Sequence, residues 1–232
     1  MSEKKAPHIG TLAERSLHAG LKSWYGRPGD QFEVRVDGFV IDIVRDELLI
    51  EIQTRHLYAM KRKLGRLLAD HRIHLIHPVS GEKWIVREDA KGDFLQRRKS
   101  PKRGQILNIF DELIRIPHLL SHPNLTLEVA LTQQEEIWRD DGEGSWRRRH
   151  WSIVDRRLLA VVDQAVFTTA QDYVAVIPGD LQRPFTNRQL ADKLQCPAKL
   201  AQKITYTLRK MELVEVVDKQ GNALTYNLVR SA

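Results

Sequence analysis

Two short apolar segments, residues 39–44 and 48–53, constrain the fold of this chain most strongly, because each carries one carboxylate inside an otherwise hydrophobic strand pattern. Together with residues 32–36 they are predicted to form a meander of three strands separated by short polar turns. The second and third strands are apolar at nearly every position, which predicts burial on both faces of a sheet. Asp42 and Glu51 therefore need either a partner or a function inside that sheet.

The turn between these two strands decides whether Asp42 and Glu51 meet. If Asp46-Glu47 is a two-residue hairpin turn, counting back along both strands puts the two carboxylates directly opposite each other. A three-residue loop would put them on opposite faces, and Asp-Glu is not a favoured dipeptide for the tightest hairpin turns. Opposed like charges on buried strands are unfavourable unless something neutralises them. A divalent cation is the simplest such agent, because Mg²⁺ is held by one or two carboxylates together with waters and substrate phosphates.

Helical patterns lie on both sides of the meander. Thr11-Leu12-Ala13-Glu14 has the spacing of a capping box, and a helix is predicted over about residues 11–24. An amphipathic and strongly basic helix is predicted over about residues 55–69, followed by a strand over residues 73–77. The predicted order of elements in this part of the chain is therefore α-β-β-β-α-β.

This set of features resembles the PD-(D/E)xK, or restriction-endonuclease-like, nuclease superfamily, whose core has the order α-β-β-β-α-β. The resemblance is carried by the helix with Glu14, the three-strand meander, Asp42, eight intervening residues and then Glu51-Ile52-Gln53 before a basic helix. It covers roughly residues 11–79 of the 232. The fold class that it implies is α/β, with a restriction-endonuclease-like α-β-β-β-α-β core.

The resemblance implies a metal-dependent nuclease that hydrolyses phosphodiester bonds of DNA with Mg²⁺ or Mn²⁺. The metal ligands of the family correspond to Asp42 and Glu51, and an additional helical acid corresponds to Glu14. Glu14 is equally explained as the third residue of its capping box. A structural role for the two strand carboxylates would instead require buried cationic partners, and only Arg35 and Arg45 are near in sequence.

The third position of the family motif is usually lysine, and this chain has Gln53 there. On the resemblance, Gln53 would orient the attacking water. Lys61 or Lys63, on the borders of the apolar stripe of the following helix, is expected to supply the missing cation. Gln53 also has a structural interpretation, since it can simply end a strand before that helix begins.

A polar, turn-rich segment at residues 140–144 is the predicted domain boundary. Before it, a helix near residues 104–116 and an alternating strand over residues 125–131 extend the first domain. The expected organisation is a nuclease-like domain over residues 1–140 and a second domain over residues 141–232.

The second domain has the order of elements found in a winged helix-turn-helix. After a predicted helix over residues 153–166, Thr186-Asn187-Arg188-Gln189 forms a capping box that opens one helix, and another helix follows a turn. Two strands, residues 213–217 and 223–228, complete the order helix, turn, helix, hairpin. Such a unit can bind nucleic acid or serve as a protein-docking module.

Positive charge is compatible with a polyanionic partner. The chain has 37 Lys and Arg against 30 Asp and Glu, a formal net charge of +7. A basic run is often only a solvated surface, but two of them in one basic chain make a nucleic-acid site an equal alternative. The helix after the turn also exposes side chains suited to phosphates and base edges. The predicted nucleic-acid-binding residues are Arg97, Arg98, Lys99, Lys102, Arg103, Arg147, Arg148, Arg149, Lys199, Gln202, Lys203, Tyr206 and Lys219.

Compartment and partners follow from simpler features. No apolar stretch approaches the roughly 20 residues that cross a bilayer, and the N-terminus has no apolar signal core. The single cysteine, Cys196, excludes an internal disulfide and a multi-thiolate zinc site, which favours a cytoplasmic protein without membrane association. The expected partner is duplex or branched DNA, and a homodimer stays open because double-strand cutting commonly uses two active sites. The alternative function is a non-catalytic DNA-binding protein that retains a nuclease fold.

Overall fold

The computed structural model describes residues 15–148, 150–221 and 223–229, and its fold is mixed α/β. Glu14 and Arg149 lie outside these residues, so what the sequence predicts for them stays a prediction. The large sheet and its helices are α1 Arg15–Tyr25, β1 Gln31–Val36, β2 Phe39–Arg45, β3 Leu48–Ile52, α2 Lys61–Leu67, β4 Arg72–Glu88, β5 Phe94–Lys99, α3 Phe110–Leu113, β6 Leu125–Arg139 and β7 Ser152–Phe167.

In the described part of the chain, the large sheet has seven strands and is mixed. Its strand order is β1-β2-β3-β4-β6-β7, with β5 paired to β4. β3 runs parallel to β4 and β4 runs parallel to β6, whereas the remaining neighbours are antiparallel. Parallel neighbours need a crossover connection, and α2 lies in the one between β3 and β4. The order α-β-β-β-α-β predicted for the start of the chain is therefore present.

β7 corrects the prediction for residues 153–166, which form a strand and not a helix. The segment carries several β-branched residues, which favour strands, and it pairs antiparallel with β6 along its length. The domain boundary predicted between residues 140 and 141 therefore falls inside a hairpin of the large sheet, which continues to Phe167. The helix predicted near residues 104–116 is also shorter, since only a 3₁₀ turn, Ile106–Ile109, and the one-turn helix α3 form there.

The C-terminal part contains short helices and a small antiparallel sheet, namely α4 Ala170–Val174, β8 Phe185–Thr186, α5 Asn187–Leu194, α6 Ala198–Lys210, β9 Val214–Gln220 and β10 Ala223–Leu228. The strand order of the small sheet is β8-β10-β9. The predicted capping box opens α5, because the Gln189 N–H donates to Thr186 Oγ1 at 3.3 Å and the Thr186 N–H donates to Gln189 Oε1 at 2.7 Å. The helices and hairpin predicted for this region therefore form.

Hydrophobic side chains pack on both faces of the large sheet. On one face, Leu17 and Leu21 of α1 form a cluster with Ile50 of β3. On the other face, Leu64 of α2 belongs to a continuous core that extends to Leu208 of α6. Because β3 lies between two packed cores, as its apolar sequence predicts, the polar side chains that it carries are held in place. None of the helices in the described ranges is both long enough and apolar enough to cross a bilayer.

Candidate functional site

The turn between β2 and β3 has two residues, which confirms the turn length that pairing of the carboxylates requires. Asp46 takes a positive φ of 50°, a conformation that Asp adopts more readily than most residues with a side chain. The paired part of the ladder ends with Ile43 opposite Ile50. In this register, Asp42 is the next residue along β2 and Glu51 is the corresponding residue on β3.

The backbone hydrogen bonds between β2 and β3 end before Asp42. Beyond that point, the Asp42 side chain accepts a hydrogen bond from the backbone of β3. The Ile52 N–H donates to Asp42 Oδ2 at 2.8 Å. This bond holds the carboxylate at the end of the ladder, in a cleft that is also lined by Glu51. The structure thus brings the two predicted metal ligands together.

Two basic side chains of α1 contact Asp42. His18 Nε2 lies 3.1 Å and Lys22 Nζ lies 3.8 Å from Asp42 Oδ1. Burial acts to raise the pKa of Asp42, but the hydrogen bond and charge of His18, the Ile52 N–H and the Lys22 charge outweigh burial, so the pKa of Asp42 lies below its usual value. Asp42 is therefore ionised at neutral pH.

Glu51 is the more deeply buried of the two carboxylates, with 4% of its surface exposed. Burial raises the pKa of Glu51 to about 7; the Asp42 charge acts in the same direction and the ion pair with Lys63 opposes both. Glu51 therefore changes its charge near neutral pH. A cation that binds in the cleft would favour the ionised form of Glu51.

Lys63 is the lysine of α2 that reaches the cleft. Its Nζ lies 2.6 Å from Glu51 Oε1 and donates to the Val40 carbonyl at 2.5 Å, so the ammonium is held between β2 and β3. Lys61 is exposed and does not line the cleft. Of the two lysines predicted to replace the motif cation, the structure places Lys63 at the carboxylates.

Gln53 lines the cleft directly after the end of β3. Its Nε2 donates to the carbonyl of Arg55. Its backbone N–H donates to the Ile76 carbonyl at 3.0 Å, and its own carbonyl accepts from His77 Nδ1 at 2.6 Å. Burial lowers the pKa of His77, so the ring is neutral and donates as an N–H. These bonds fix the backbone of Gln53 beside the two carboxylates.

Sequence reasoning missed three ionisable residues of the cleft, His18, Lys22 and Glu33. Glu33 takes a positive φ of 55° inside β1, in register with Asp42, and its Oε1 lies 2.7 Å from Lys22 Nζ. The hydrogen bond from Lys22 holds the pKa of Glu33 below its usual value. Two signals were available. His18 and Lys22 are four apart on a predicted helix and so share a face, and counting back across the β1–β2 turn places Glu33 opposite Asp42.

These side chains line one cleft of about 820 Å³, and its donor set suits a hard cation. Within the described residues, no group of three or more His, Cys, Asp or Glu side chains is placed to enclose a metal ion. Mg²⁺ requires less of the protein, since one or two carboxylates suffice together with waters and substrate phosphates. Glu51 Oε1 is buried, and the ammonium of Lys63 lies 2.6 Å from it. If Mg²⁺ or Mn²⁺ binds in the cleft, Asp42 and Glu51 are the residues that would hold it.

The basic run around β5 is largely paired with acids of the neighbouring strands. Lys99 Nζ lies 2.9 Å from Glu82 Oε1, and Arg103 contacts the same oxygen. Arg97 Nε lies 2.7 Å from Glu135 Oε1. These three side chains were predicted to bind nucleic acid, and each forms an ion pair with an acidic side chain of the large sheet.

The remaining predicted cations of the large sheet have different surroundings. The side chains of Arg98 and Lys102 have no ion pair among the described residues and are exposed. Arg147 lies over the ring of Trp146 at 5.5 Å, and Arg148 Nε donates to a backbone carbonyl at 3.1 Å. The structure therefore does not bring all the predicted cations into one surface with the carboxylate cleft.

Lys203 of α6 departs from the predicted nucleic-acid face. Its Nζ lies 2.6 Å from Asp111 Oδ1 of α3, so this side chain joins α6 to the large sheet's helices. Lys199, Gln202 and Tyr206 are exposed, as a surface for nucleic acid requires. One face of α6 therefore packs against the rest of the protein, and the opposite face is exposed to solvent.

A second cavity of about 750 Å³ lies between α6 and the small sheet. Gln202 and Tyr206 line it, together with Arg188 and Arg209, which were not predicted. Helical spacing from Gln202 is the signal that could have found Arg209, because residues seven apart share a helix face. Lys219 is exposed in the adjoining β9–β10 hairpin.

The family model of a domain of unknown function, DUF8091, matches residues 15–168. The chain belongs to the DUF8091 family. The DUF8091 match spans α1 to the end of β7, so it includes the carboxylate cleft and ends before the small sheet. The chain is also 34% identical over 175 residues to an uncharacterized protein of Treponema pallidum (strain Nichols), covering 73% of this chain and 70% of that protein. No solved structure matches this DUF8091 member.

Proposed function

We propose that this protein is a Mg²⁺-dependent nuclease that hydrolyses phosphodiester bonds of DNA. The observation that carries the proposal is the cleft in which Asp42 and Glu51 meet Lys63. The antiparallel meander β1–β3, the crossover through α2 and the parallel strand β4 support a restriction-endonuclease-like core. Lys63 contributes the cation that Gln53 lacks.

Each side chain of the cleft has a role that its position supports. Asp42 and Glu51 would hold the ion, which supplies charge stabilisation at the phosphate and a more acidic water. Lys63, fixed beside Glu51, would stabilise the negative charge that develops on the phosphate oxygens. The Gln53 amide nitrogen is used by the Arg55 carbonyl, so its amide oxygen is the group that would accept a hydrogen bond from the attacking water.

The C-terminal part would position the nucleic acid. Its order of helices and hairpin supports a winged helix-turn-helix, in which the second helix lies in the major groove. The exposed side chains Lys199, Gln202 and Tyr206 are suited to phosphates and base edges. The carboxylate cleft of the large sheet would then cleave the nucleic acid that the C-terminal part binds.

The proposal is tested by titrating Mg²⁺ and Mn²⁺ against plasmid and single-stranded DNA. Cleavage that appears with the metal and disappears with EDTA is expected. One observation favours the non-catalytic alternative, because His18, Lys22 and Lys63 contact the two carboxylates and so give them partners within the protein. Tight DNA binding without cleavage under either ion would support that alternative and reject the nuclease.

Lys199→Ala and Lys203→Ala should have different effects on DNA binding. Lys199→Ala is expected to weaken binding and to reduce the slope of log affinity against log salt by about 0.9, the value for one lost duplex phosphate contact. Lys203→Ala should leave that slope unchanged, because Lys203 is paired with Asp111. The Lys203→Ala substitution should lower the free energy of unfolding by at most about 1 kcal/mol, as for other partly exposed ion pairs.

Fluorescence anisotropy with a labelled duplex over a salt series measures both slopes, and urea unfolding measures both stabilities. A slope that falls equally in the two variants would show that Lys203 leaves Asp111 to bind DNA. Unchanged binding in both would make the C-terminal part a docking module for a protein.

A further inference from the structure

The carboxylate cleft has an aromatic side chain beside its charged groups. Phe32 of β1 lines the cleft, and 49% of its surface is exposed. It pairs with Ile43 of β2, which is the residue next to Asp42. The cleft therefore combines the two carboxylates with accessible aromatic surface, a combination that a metal ion alone does not use.

The backbone of β1 explains how the ring reaches this cleft. Phe32 and Glu33 are consecutive residues, yet both line it. Consecutive side chains of a regular strand point to opposite faces of the sheet. The φ of Glu33 is 55°, a conformation that a regular strand does not contain and that is strained for a residue with a side chain. This irregularity lets two neighbouring side chains line one cleft, and strain of this kind is concentrated at functional sites.

Gly26, the residue after α1, lets the Phe32 ring lie against the end of the helix. A Cβ at position 26 would lie 2.9 Å from Phe32 Cζ and 3.2 Å from Phe32 Cε1, whereas non-bonded carbon atoms pack at about 3.5–4.0 Å. Part of the ring is therefore held against the backbone of Gly26, while about half of the residue's surface stays exposed. A ring that is held in place in this way loses little conformational freedom when a ligand covers it.

The size and the lining of the cleft suit a nucleotide. Its volume of about 820 Å³ lies within the range of about 300–1,000 Å³ that is usual for ligand sites. Ser23 and Thr54 add hydroxyl groups to the lining and Gln53 adds an amide, and such groups hydrogen-bond to sugars and base edges. With a phosphate at the carboxylates, the ring is in the same cleft as the nucleoside that the phosphate carries.

The exposed ring also distinguishes between paired and unpaired DNA. Aromatic side chains bind nucleic acids by stacking on the face of a base. Inside a duplex, the neighbouring base pairs cover both faces of each base, so a side chain reaches a face only after the base leaves the stack. An unpaired strand presents these faces without that cost.

We propose that Phe32 stacks on an unpaired base of the DNA strand whose phosphate lies at Asp42 and Glu51, so that the cleft accepts single-stranded and not duplex DNA. The proposal rests on the proposed function, because the phosphate at the carboxylates brings the base to the ring. Phe32 is then the substrate-binding residue that selects the kind of strand. With the C-terminal part on duplex DNA, the complete substrate is a duplex that carries a single-stranded segment.

Affinity for a short single-stranded oligonucleotide, measured by fluorescence anisotropy in EDTA, tests the site without any cleavage. Phe32→Ala should weaken binding about five- to hundredfold, the range for one lost base–aromatic stack, and should leave the affinity for a duplex unchanged. Phe32→Trp should keep the affinity for the single strand. Phe94→Ala is the matched control, because Phe94 is 66% exposed on β5 and does not line the cleft; it should bind as the wild type does.

An oligonucleotide that lacks one base separates stacking from a general disturbance of the fold. When the missing base is the one that faces Phe32, the wild type should lose about as much affinity as Phe32→Ala loses on the intact strand. The two losses should not add, because they remove the same contact. Phe32→Leu keeps an apolar side chain beside Gly26 and provides a second variant if Phe32→Ala unfolds; it should lose most of the same affinity. Equal single-strand affinity in the wild type and the Phe32 variants, or losses that add at every position of the missing base, would overturn the site.

The failure of this site and the failure of the nuclease proposal can be told apart. If the wild type cleaves DNA, and Phe32→Ala binds single strands and cleaves them as the wild type does, the stacking site is wrong and the nuclease stands. If the wild type never cleaves, but its affinity for single strands depends on Phe32 and on one base, the site stands and the nuclease proposal is wrong.

Discussion

Asp42→Asn and Glu51→Gln are each expected to reduce Mg²⁺-dependent DNA cleavage at least about 10²-fold, because a catalytic metal contributes several kcal/mol of transition-state stabilisation. Both substitutions preserve side-chain size and remove the charge that would hold the ion. Asn at position 42 can still accept the Ile52 N–H, so the end of the β2–β3 ladder should persist. The measurement is a single-turnover cleavage rate, with duplex affinity followed separately in EDTA.

Glu47→Gln is the matched control for these variants. Glu47 is an exposed carboxylate in the turn that joins the same two strands, and it does not line the cleft. Its variant should cleave at the wild-type rate. Wild-type cleavage by both cleft variants would contradict the assignment of Asp42 and Glu51, and lost cleavage in Glu47→Gln would indicate that the hairpin itself is disturbed.

The second large effect concerns the pH dependence of stability. The pKa of Glu51 is raised from 4.5 to about 7 in the folded protein, chiefly by burial. Between these values the folded state keeps the proton and the unfolded state has lost it, so the free energy of unfolding should fall as the pH rises. At 1.36 kcal/mol for each pKa unit, burial of Glu51 lowers the free energy of unfolding by about 3 kcal/mol once the pH exceeds 7.

Glu51→Gln should remove this contribution, so the variant should gain stability relative to the wild type as the pH rises from about 5 to about 8. Urea unfolding at several pH values in EDTA measures the difference, and Glu47→Gln should follow the wild-type curve. Added Mg²⁺ should stabilise the wild type more at high pH than at low pH, because the metal binds the ionised carboxylate. Parallel curves for the wild type and Glu51→Gln would show that Glu51 keeps one charge state throughout this range.

The central hairpin could be predicted because its determinants are local. Strand side chains alternate with a period of two, and the length of the turn sets which residues pair. Counting from a two-residue Asp46-Glu47 turn therefore places Asp42 opposite Glu51; the sequence left a three-residue loop as the alternative, and the pairing of Arg45 with Leu48 excludes it. The partners of these carboxylates are harder to predict, because they come from helices whose rotation against the sheet depends on core packing. The sequence left Lys61 and Lys63 as alternatives and did not indicate His18.

The errors have the same origin in long-range contacts. Residues 153–166 place apolar side chains at helical spacing as well as on a strand, and only pairing with β6 decides between them. The basic run around β5 is similar, because Arg97 and its partner Glu135 are 38 positions apart in sequence. A run of cations in sequence does not reveal acids that another strand brings alongside.

Lys203 and the core beneath α6 have one further consequence. The helix shares a continuous set of buried side chains with the large sheet, and Lys203 ties it to Asp111. The separation between the exposed face of α6 and the carboxylate cleft is therefore set by packed side chains and not by a flexible linker. On the proposed function, a DNA strand bound by α6 would be cleaved at a constant distance from the position at which it is bound. The number of nucleotides between the two positions would then be fixed by the protein.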